Sequence, residues 1–238
     1  MSNHIVKAYD EDLAALKTML AQMGGLAEDH LAKAIEALAR RDTELADIVI
    51  ANDEKIDSLE LTLEERAILT IAKRQPMARD LREIMVAIRI ASDLERIGDL
   101  AKNIAKRSHA ISEQMPRKLI SGLTRMGRLA LEQLKNVLDA YSGLDEEKAL
   151  EVWRSDGELD SLYNSIFREL LTYMMEDPRM IGICTHLLFG AKNFERIGDH
   201  ATNIAENIYY LLEGKLIREE RPKRDTTSTT IFDAMNER

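Results

Sequence analysis

Apolar residues return at steps of three and four near the start of the chain, at Leu13, Leu16, Leu20, Met23, Ala27, Leu31, Ala34, Ile35 and Leu38. That spacing places them on one face of an α-helix. It predicts one long amphipathic helix beginning soon after Tyr9. Gly24-Gly25 falls inside the pattern without ending it, so a bend or a close contact is expected there. Arg40-Arg41-Asp42 reads as a turn, with Asp42 as the N-cap of the next helix. The second helix runs from about Thr43 to Lys73 on Ile48, Val49, Ile56, Leu59, Leu63, Ile68 and Ile71. Gln75-Pro76 ends it, because the residue before proline is pushed out of the helical region. A third helix follows to about Ser112, carrying Leu81, Ile84, Met85, Ile88, Leu94 and Ile97, and Met115-Pro116 breaks it.

The series then restarts. A fourth helix spans about Lys118 to Ala140 on Leu119, Leu123, Met126, Leu129, Leu134 and Leu138, and Ser142-Gly143-Leu144-Asp145 supplies a turn and a cap. The fifth runs from about Glu146 to Met175. Glu176-Asp177-Pro178 opens the sixth, which reaches about Leu212 before Gly214. From Arg218 onward the chain is polar, with Pro222 and Thr226-Thr227-Ser228-Thr229-Thr230, and reads as disordered.

The restart is a duplication. At an offset of 103 residues Met23-Gly24 matches Met126-Gly127, Leu31 matches Leu134, Asp42 matches Asp145, and Asp57-Ser58-Leu59 matches Asp160-Ser161-Leu162. The third and sixth helices match at an offset of 100 instead, so the second copy is three residues shorter between its last two helices. The expected fold is all-α: six long helices in two tandem three-helix bundles related by internal duplication. The first bundle covers residues 1–115, the second 116–214, and residues 215–238 form a disordered tail.

Composition fits this picture and narrows the function. The 238 residues are 45% apolar but only 5% aromatic, with 4 prolines, as in a water-soluble helical protein. A net charge of −9 argues against nucleic-acid binding, which rests on Lys and Arg neutralising phosphates. No apolar run approaches the length that spans a bilayer, and the first ten residues carry no signal-peptide h-region. The single cysteine, Cys184, lies in the apolar stretch Ile181-Gly182-Ile183 and is expected to be a buried, inert thiol. The expected location is the cytoplasm.

The chemistry lies in the third and sixth helices. Glu95-Arg96-Ile97-Gly98-Asp99 leads to Asn103, and Glu195-Arg196-Ile197-Gly198-Asp199 leads to Asn203. Glu and Asp at i and i+4 share a helix face with the Asn a turn beyond. The duplication exposes a second pair at the same spacing, Asp53/Asp57 in the first copy and Asp156/Asp160 in the second. If the helices face each other, four carboxylates converge in each unit, and so many negative charges need neutralising. All-oxygen donors suit hard ions such as Mg²⁺, Mn²⁺ or oxidised iron. The competing reading is a solvated face on which Arg96 and Arg196 neutralise their neighbours; duplication of the pairs favours the metal. A glycine retained mid-helix in both copies implies a close approach by something at Gly98 and Gly198. Arg82, Arg89 and Arg96 recur every seven residues, either as a solvated flank or as a docking strip for an acidic partner. No Glu-x-x-His pair, zinc spacing, phosphate loop or nucleophile–base pair stands out.

These residues resemble the PhoU family of bacterial phosphate-transport regulatory proteins. The resemblance rests on the doubled Glu-Arg-Ile-Gly-Asp motif, on Ala201-Thr202-Asn203-Ile204-Ala205-Glu206, and on Gln75-Pro76-Met77-Ala78-Arg79-Asp80-Leu81-Arg82 and Glu176-Asp177-Pro178-Arg179. It covers about residues 8–213. It implies two three-helix bundles with metal clusters on Asp53, Asp57, Glu95 and Asp99, and on Asp156, Asp160, Glu195 and Asp199, with Asn103 and Asn203 behind them. It also implies a homodimeric regulator in place of an enzyme. Such a regulator links the ATPase subunit of the phosphate ABC transporter to a sensor histidine kinase, and represses phosphate uptake and the phosphate-starvation genes. Contact with the membrane would then come through those partners alone. Leu100 and Lys102 stand where the second copy has His200 and Thr202, which leaves the equivalence of the two sites open. The alternatives are a carboxylate-bridged metalloenzyme, hydrolytic or redox, and a metal-free scaffold whose acidic faces only solubilise.

Overall fold

Asp42 and Asp145, equivalent in the duplication, start the second helix of each half in the same way. Each sits in extended backbone and accepts a hydrogen bond from the amide three residues on, Leu45 at 2.9 Å and Lys148 at 3.0 Å. In the computed structural model of the chain, residues 2–110, 117–219, 221, 223 and 225 are described, with the backbone alone for 2–8 and 117. The elements are α1 (Ser2–Arg40), α2 (Thr43–Asn52), α3 (Glu54–Arg74), α4 (Arg79–Ser108), α5 (Arg117–Gly143), α6 (Glu146–Glu176), a 3₁₀ turn at Pro178–Met180, and α7 (Ile181–Glu213). No strand occurs among the described residues.

The fold class is all-α, as the periodicity requires. The first helix reaches back to Ser2, beyond the apolar pattern that begins near Tyr9. The third helix stops at Ser108, earlier than expected; the proposed break at Met115-Pro116 and the Thr-rich stretch lie outside the described residues. The expected second helix is two helices, α2 and α3, divided at Asp53. Asp53 keeps helical dihedrals (φ −59°, ψ −40°), but the Ile56 amide donates to its carbonyl over one residue fewer than in an α-helix, at 2.9 Å. That tighter turn interrupts the regular ladder. The three residues by which the second copy is shorter come out of a connection. Residues 75–78 join α3 to α4, whereas Asp177 alone joins α6 to the 3₁₀ turn.

Packing divides the helices into outer and central sets. Helices α1, α4, α5 and α7 form the centre: α1 packs on α5 and α4 on α7, joining the two halves. Helices α2, α3 and α6 pack only within their own half. The buried apolar residues of both halves merge into one continuous cluster, which includes Met23, Leu31, Ile97, Met126, Leu134 and Ile197. Cross-contacts between α1 and α5 obey the duplication. A Cβ on Gly24 would lie 2.8 Å from Leu138 of α5, and one on Gly127 would lie 2.8 Å from Ile35 of α1. These are equivalent contacts made in opposite directions, so an approximate two-fold relates the halves. The expectation of a close contact at Gly24-Gly25 holds for Gly24; nothing approaches Gly25.

The glycines give a paired test of this packing. Gly127→Ala drives a methyl against the buried Phe194 ring as well as Ile35, and overpacking of that kind costs about 1–3 kcal/mol. Gly25→Ala meets open space and is expected to stabilise by about 0.5–1 kcal/mol through better helix propensity. Chemical denaturation of the two variants should therefore show opposite shifts in midpoint at unchanged slope.

Candidate functional site

Each carboxylate cluster lies in the seam between an outer and a central helix. In the first half, Asp53 at the α2–α3 break and Asp57 on α3 face α4, where Glu95 and Asp99 sit one turn apart. Gly98 lets the outer helix in: a Cβ there would stand 2.8 Å from Ile56 Cδ1 and 3.5 Å from Asp53 Oδ1. The second half repeats this with Gly198 against Leu159, the residue equivalent to Ile56. The close approach that the motif glycines permit is therefore helix packing by α3 and α6.

In the first cluster the negative charge is met by a side chain of the motif helix itself. Lys102 Nζ donates to Asp53 Oδ2, and to Asp99 Oδ1 at 2.8 Å. Arg96 pairs with Glu95 Oε2 at 3.3 Å. Burial works against the Lys102 charge, but Asp53 and Asp99 outweigh it and raise its pKa. The Asp57 carboxyl is pushed up by burial and by Asp53, with Lys102 opposing. Glu95 is likewise pushed up, by burial first, with Arg96 opposing and Glu60, Asp99 and Asp57 adding. Asn103 makes no hydrogen bond to these carboxylates among the described residues. His30 of α1 is buried behind the cluster; burial holds its pKa below the ordinary value although Asp53 pulls the other way.

The second cluster is more deeply buried. Asp156, Asp160 and Glu195 are each at most 4% exposed. Its countercharge comes from the C-terminal segment, where the sequence reads as disordered. Arg221 makes a two-pronged contact with Asp156 (Nε to Oδ2 2.9 Å, Nη2 to Oδ1 2.8 Å) and reaches Asp199 Oδ1 at 2.8 Å. Lys223 lies 3.2 Å from the same Asp199 oxygen. The Asp225 amide donates to Asp160 Oδ2 at 3.1 Å, and its carboxylate meets Lys192, which also holds Glu195 Oε1 at 2.9 Å. Burial opposes the Arg221 charge, yet Asp156, Asp199 and Glu206 raise its pKa. Glu195 is pushed up by burial, with Lys192 opposing and Asp199 and Asp160 adding. Arg221, Lys223 and Asp225 are thus anchored on α6 and α7; Ile217 also packs on the core.

Several connections have no counterpart in the sequence reading. Asn203 does not back its own cluster; it donates to Asp93 of α4 at 3.4 Å, alongside His200, whose Nδ1 lies 2.9 Å from the same oxygen. Arg82 and Arg89 make contacts within the fold, Arg89 while remaining exposed. Both stack on Tyr210 of α7, at 5.6 and 5.8 Å from the ring centre, and Arg82 also donates to the Tyr210 carbonyl at 3.3 Å. That carbonyl belongs to the last turn of α7, where a positive charge is favourable. Cys184 is free and buried, and burial pushes its thiol up, as expected of an inert residue.

The donors fit a hard cation in kind. All are carboxylate oxygens, and Asp53 Oδ1 and Glu195 Oε2 are buried without a hydrogen-bond partner. The arrangement does not fit one in place: among the described residues no group of three Asp, Glu, His or Cys side chains is set to hold a metal ion. Lys102 and Arg221 each bridge a carboxylate pair, Asp53/Asp99 and Asp156/Asp199, in which a metal would be sought.

Comparison with known proteins gives a consistent answer. The PhoU domain family model matches twice, over residues 20–108 and 123–208. The chain is 57% identical to the phosphate-specific transport system accessory protein PhoU homolog of Rhizobium meliloti (strain 1021), over 95% of this chain and 96% of that protein. It is 38% identical to phosphate-specific transport system accessory protein PhoU of Escherichia coli (strain K12), over 92% and 90%. Among solved structures, the crystal structure of PhoU from Pseudomonas aeruginosa superposes with a TM-score of 0.82 at 35% identity, covering 87% of this chain and 100% of that one.

The raised carboxyls make a pH prediction. A group whose pKa is higher in the fold than in the unfolded chain favours folding below its unfolded pKa, and that advantage is lost as pH rises through the folded value. Glu95 is such a group. In a chelator-containing buffer, Glu95→Gln is expected to raise the melting temperature at pH 7. The gain should vanish as pH falls below the ordinary carboxylate range. Each kcal/mol of relief corresponds to about 2–4 °C in a chain of this size.

Proposed function

The chain belongs to the PhoU family, and from that premise we propose that it is a negative regulator of phosphate uptake and of the phosphate-starvation response. It acts by contact with the phosphate transport system, for which its relatives are named accessory proteins. Its immediate partners in this reading are the ATPase subunit of the phosphate ABC transporter and a sensor histidine kinase. It works as a homodimeric binding protein in the cytoplasm and not as an enzyme. No helix among the described residues is long and apolar enough to cross a membrane, which supports a role on the partners' aqueous side.

The observation that carries the partner reading is the distribution of exposed apolar side chains. Ile68, Leu69, Met77, Leu81 and Met85 stand out around the α3–α4 connection; Met175 and Ile181 do so around the equivalent α6–α7 connection. Leu81 and Ile181 are repeat partners. Exposed apolar groups at equivalent places in both halves suit docking onto other proteins. Docking reports a partner's state whenever its affinity differs between two states.

The cation reading belongs to the same proposal. Asp53, Asp57, Glu95 and Asp99, and Asp156, Asp160, Glu195 and Asp199, supply donors for a hard ion such as Mg²⁺, Mn²⁺ or iron, once the chain's own cations give way. The buried, unpartnered oxygens of Asp53 and Glu195 support it.

A strain deleted for this chain and grown in ample phosphate is expected to express phosphate-starvation genes and to accumulate phosphate, both restored by the intact chain. Alkaline phosphatase activity and intracellular phosphate are the readouts. Repression and phosphate content left normal, in a strain without a second copy, would overturn the regulator reading.

A further inference from the structure

The two clusters present equivalent carboxylates to different cations. Asp53 and Asp99 are bridged by Lys102; their counterparts Asp156 and Asp199 are bridged by Arg221. The difference follows from one position of the motif helix. Lys102 is matched by Thr202, whose hydroxyl reaches Asp156 Oδ1 at 3.1 Å and carries no charge. The first cluster is thus closed by a side chain of a central helix, and the second by a segment that lies beyond the end of α7.

We propose that the segment carrying Arg221, Lys223 and Asp225 is a strap that fills the second cluster in place of a divalent cation, and that strap and cation exclude one another there. The inference rests on the cation reading above. A guanidinium between Asp156 and Asp199 and a hard cation require the same oxygens. Like charges brought together in a low-dielectric seam repel strongly, so both cannot be accommodated. The strap is also held by contacts that can be released together. Arg221, Lys223 and Asp225 all engage groups of this seam, and Leu216 and Ile217 line a cavity with Trp153 and Tyr209. Binding of the cation therefore frees the tail and uncovers the α6–α7 groove. Among the described residues no such segment closes the first cluster, so its exchange with a cation moves only the Lys102 side chain.

Trp153 is the one tryptophan of the chain, and its Nε1 donates to Glu206 at 3.0 Å beneath the strap, so its emission reports strap release. The experiment titrates Mn²⁺ into the full chain and into its Arg221→Gln, Arg221→Lys and Lys102→Gln variants, by calorimetry with Trp153 emission read in parallel. Melting curves verify that each variant folds. A strap that fills the cluster about nine-tenths of the time weakens apparent cation affinity about tenfold. Arg221→Gln is expected to recover that factor, and before any metal is added to show the red-shifted emission that Mn²⁺ produces in the unaltered chain. Arg221→Lys, which keeps the charge, should return toward the unaltered affinity. Lys102→Gln should strengthen binding with no change in Trp153 emission. Equal Mn²⁺ affinity in the unaltered chain and Arg221→Gln overturns the strap inference while leaving the cation reading standing. Binding of Mn²⁺ by neither overturns the cation reading and the exchange with it.

Discussion

Negative charge buried between an outer and a central helix is the constraint on which the rest of this structure depends. Asp53, Asp156, Asp160 and Glu195 are almost wholly removed from water. An isolated buried carboxylate is costly unless it is paired, hydrogen-bonded or protonated. All three responses are visible here. Lys102 and Arg221 pair with the aspartates, the Asp225 amide serves Asp160, and Glu95 and Glu195 are displaced toward the protonated form. Glycines at 98 and 198 deepen the problem, because they admit α3 and α6 closely enough to shut water out. The helices that α2, α3 and α6 pack against all lie in their own half, so how each seam is neutralised bears on the hold of its outer helix.

The centre of the molecule connects the two seams. Helix α4 carries Glu95 and Asp99 toward the first cluster and Asp93 toward α7; helix α7 carries Glu195 and Asp199 toward the second cluster and His200 and Asn203 toward α4. The residues that face a cluster and those that make the central interface therefore lie within about a turn of one another on the same two helices. Arg82 and Arg89 stacked on Tyr210 fasten the other end of the same helix pair. The halves therefore behave as one packed body, and a single continuous core agrees with that.

Much of this was legible in the residues. Periodicity and caps located the helices because those signals are local: Asp42 and Asp145 cap through amides three residues away. The duplication placed the carboxylates of each half in the same seam, because two helices per half carried i, i+4 acidic pairs. What escaped was long-range or sub-helical. The tightened turn at Asp53 leaves the apolar pattern intact and so has no signature in it. The Arg82–Tyr210 and Asp93–His200 contacts span more than a hundred residues and depend on how the halves meet. The tail was read from its polarity, which describes a solvated segment and a segment bound to an acidic groove equally well. The one available signal was compositional: Arg221-Pro222-Lys223-Arg224 is a short basic cluster near the end of an acidic chain.

The mismatch between Lys102 and Thr202 shows how a duplicated site becomes two different sites. Position 102 carries a charge on a stem long enough to span from α4 to Asp53 of the facing segment while still reaching Asp99. A threonine at 202 has neither the reach nor the charge; its hydroxyl satisfies one oxygen of Asp156 and its own helix carbonyl at Gly198. Lys192 of α7 meets Glu195, but the pair Asp156 and Asp199 takes its bridging countercharge from outside the three-helix unit. A lysine rooted in a central helix can only swing its side chain aside, whereas a charge supplied from beyond α7 can leave together with the segment that carries it. The two seams therefore share a donor set and a glycine-enabled close approach, and differ in where the bridging cation is covalently attached: on the motif helix itself in the first, on a segment beyond it in the second.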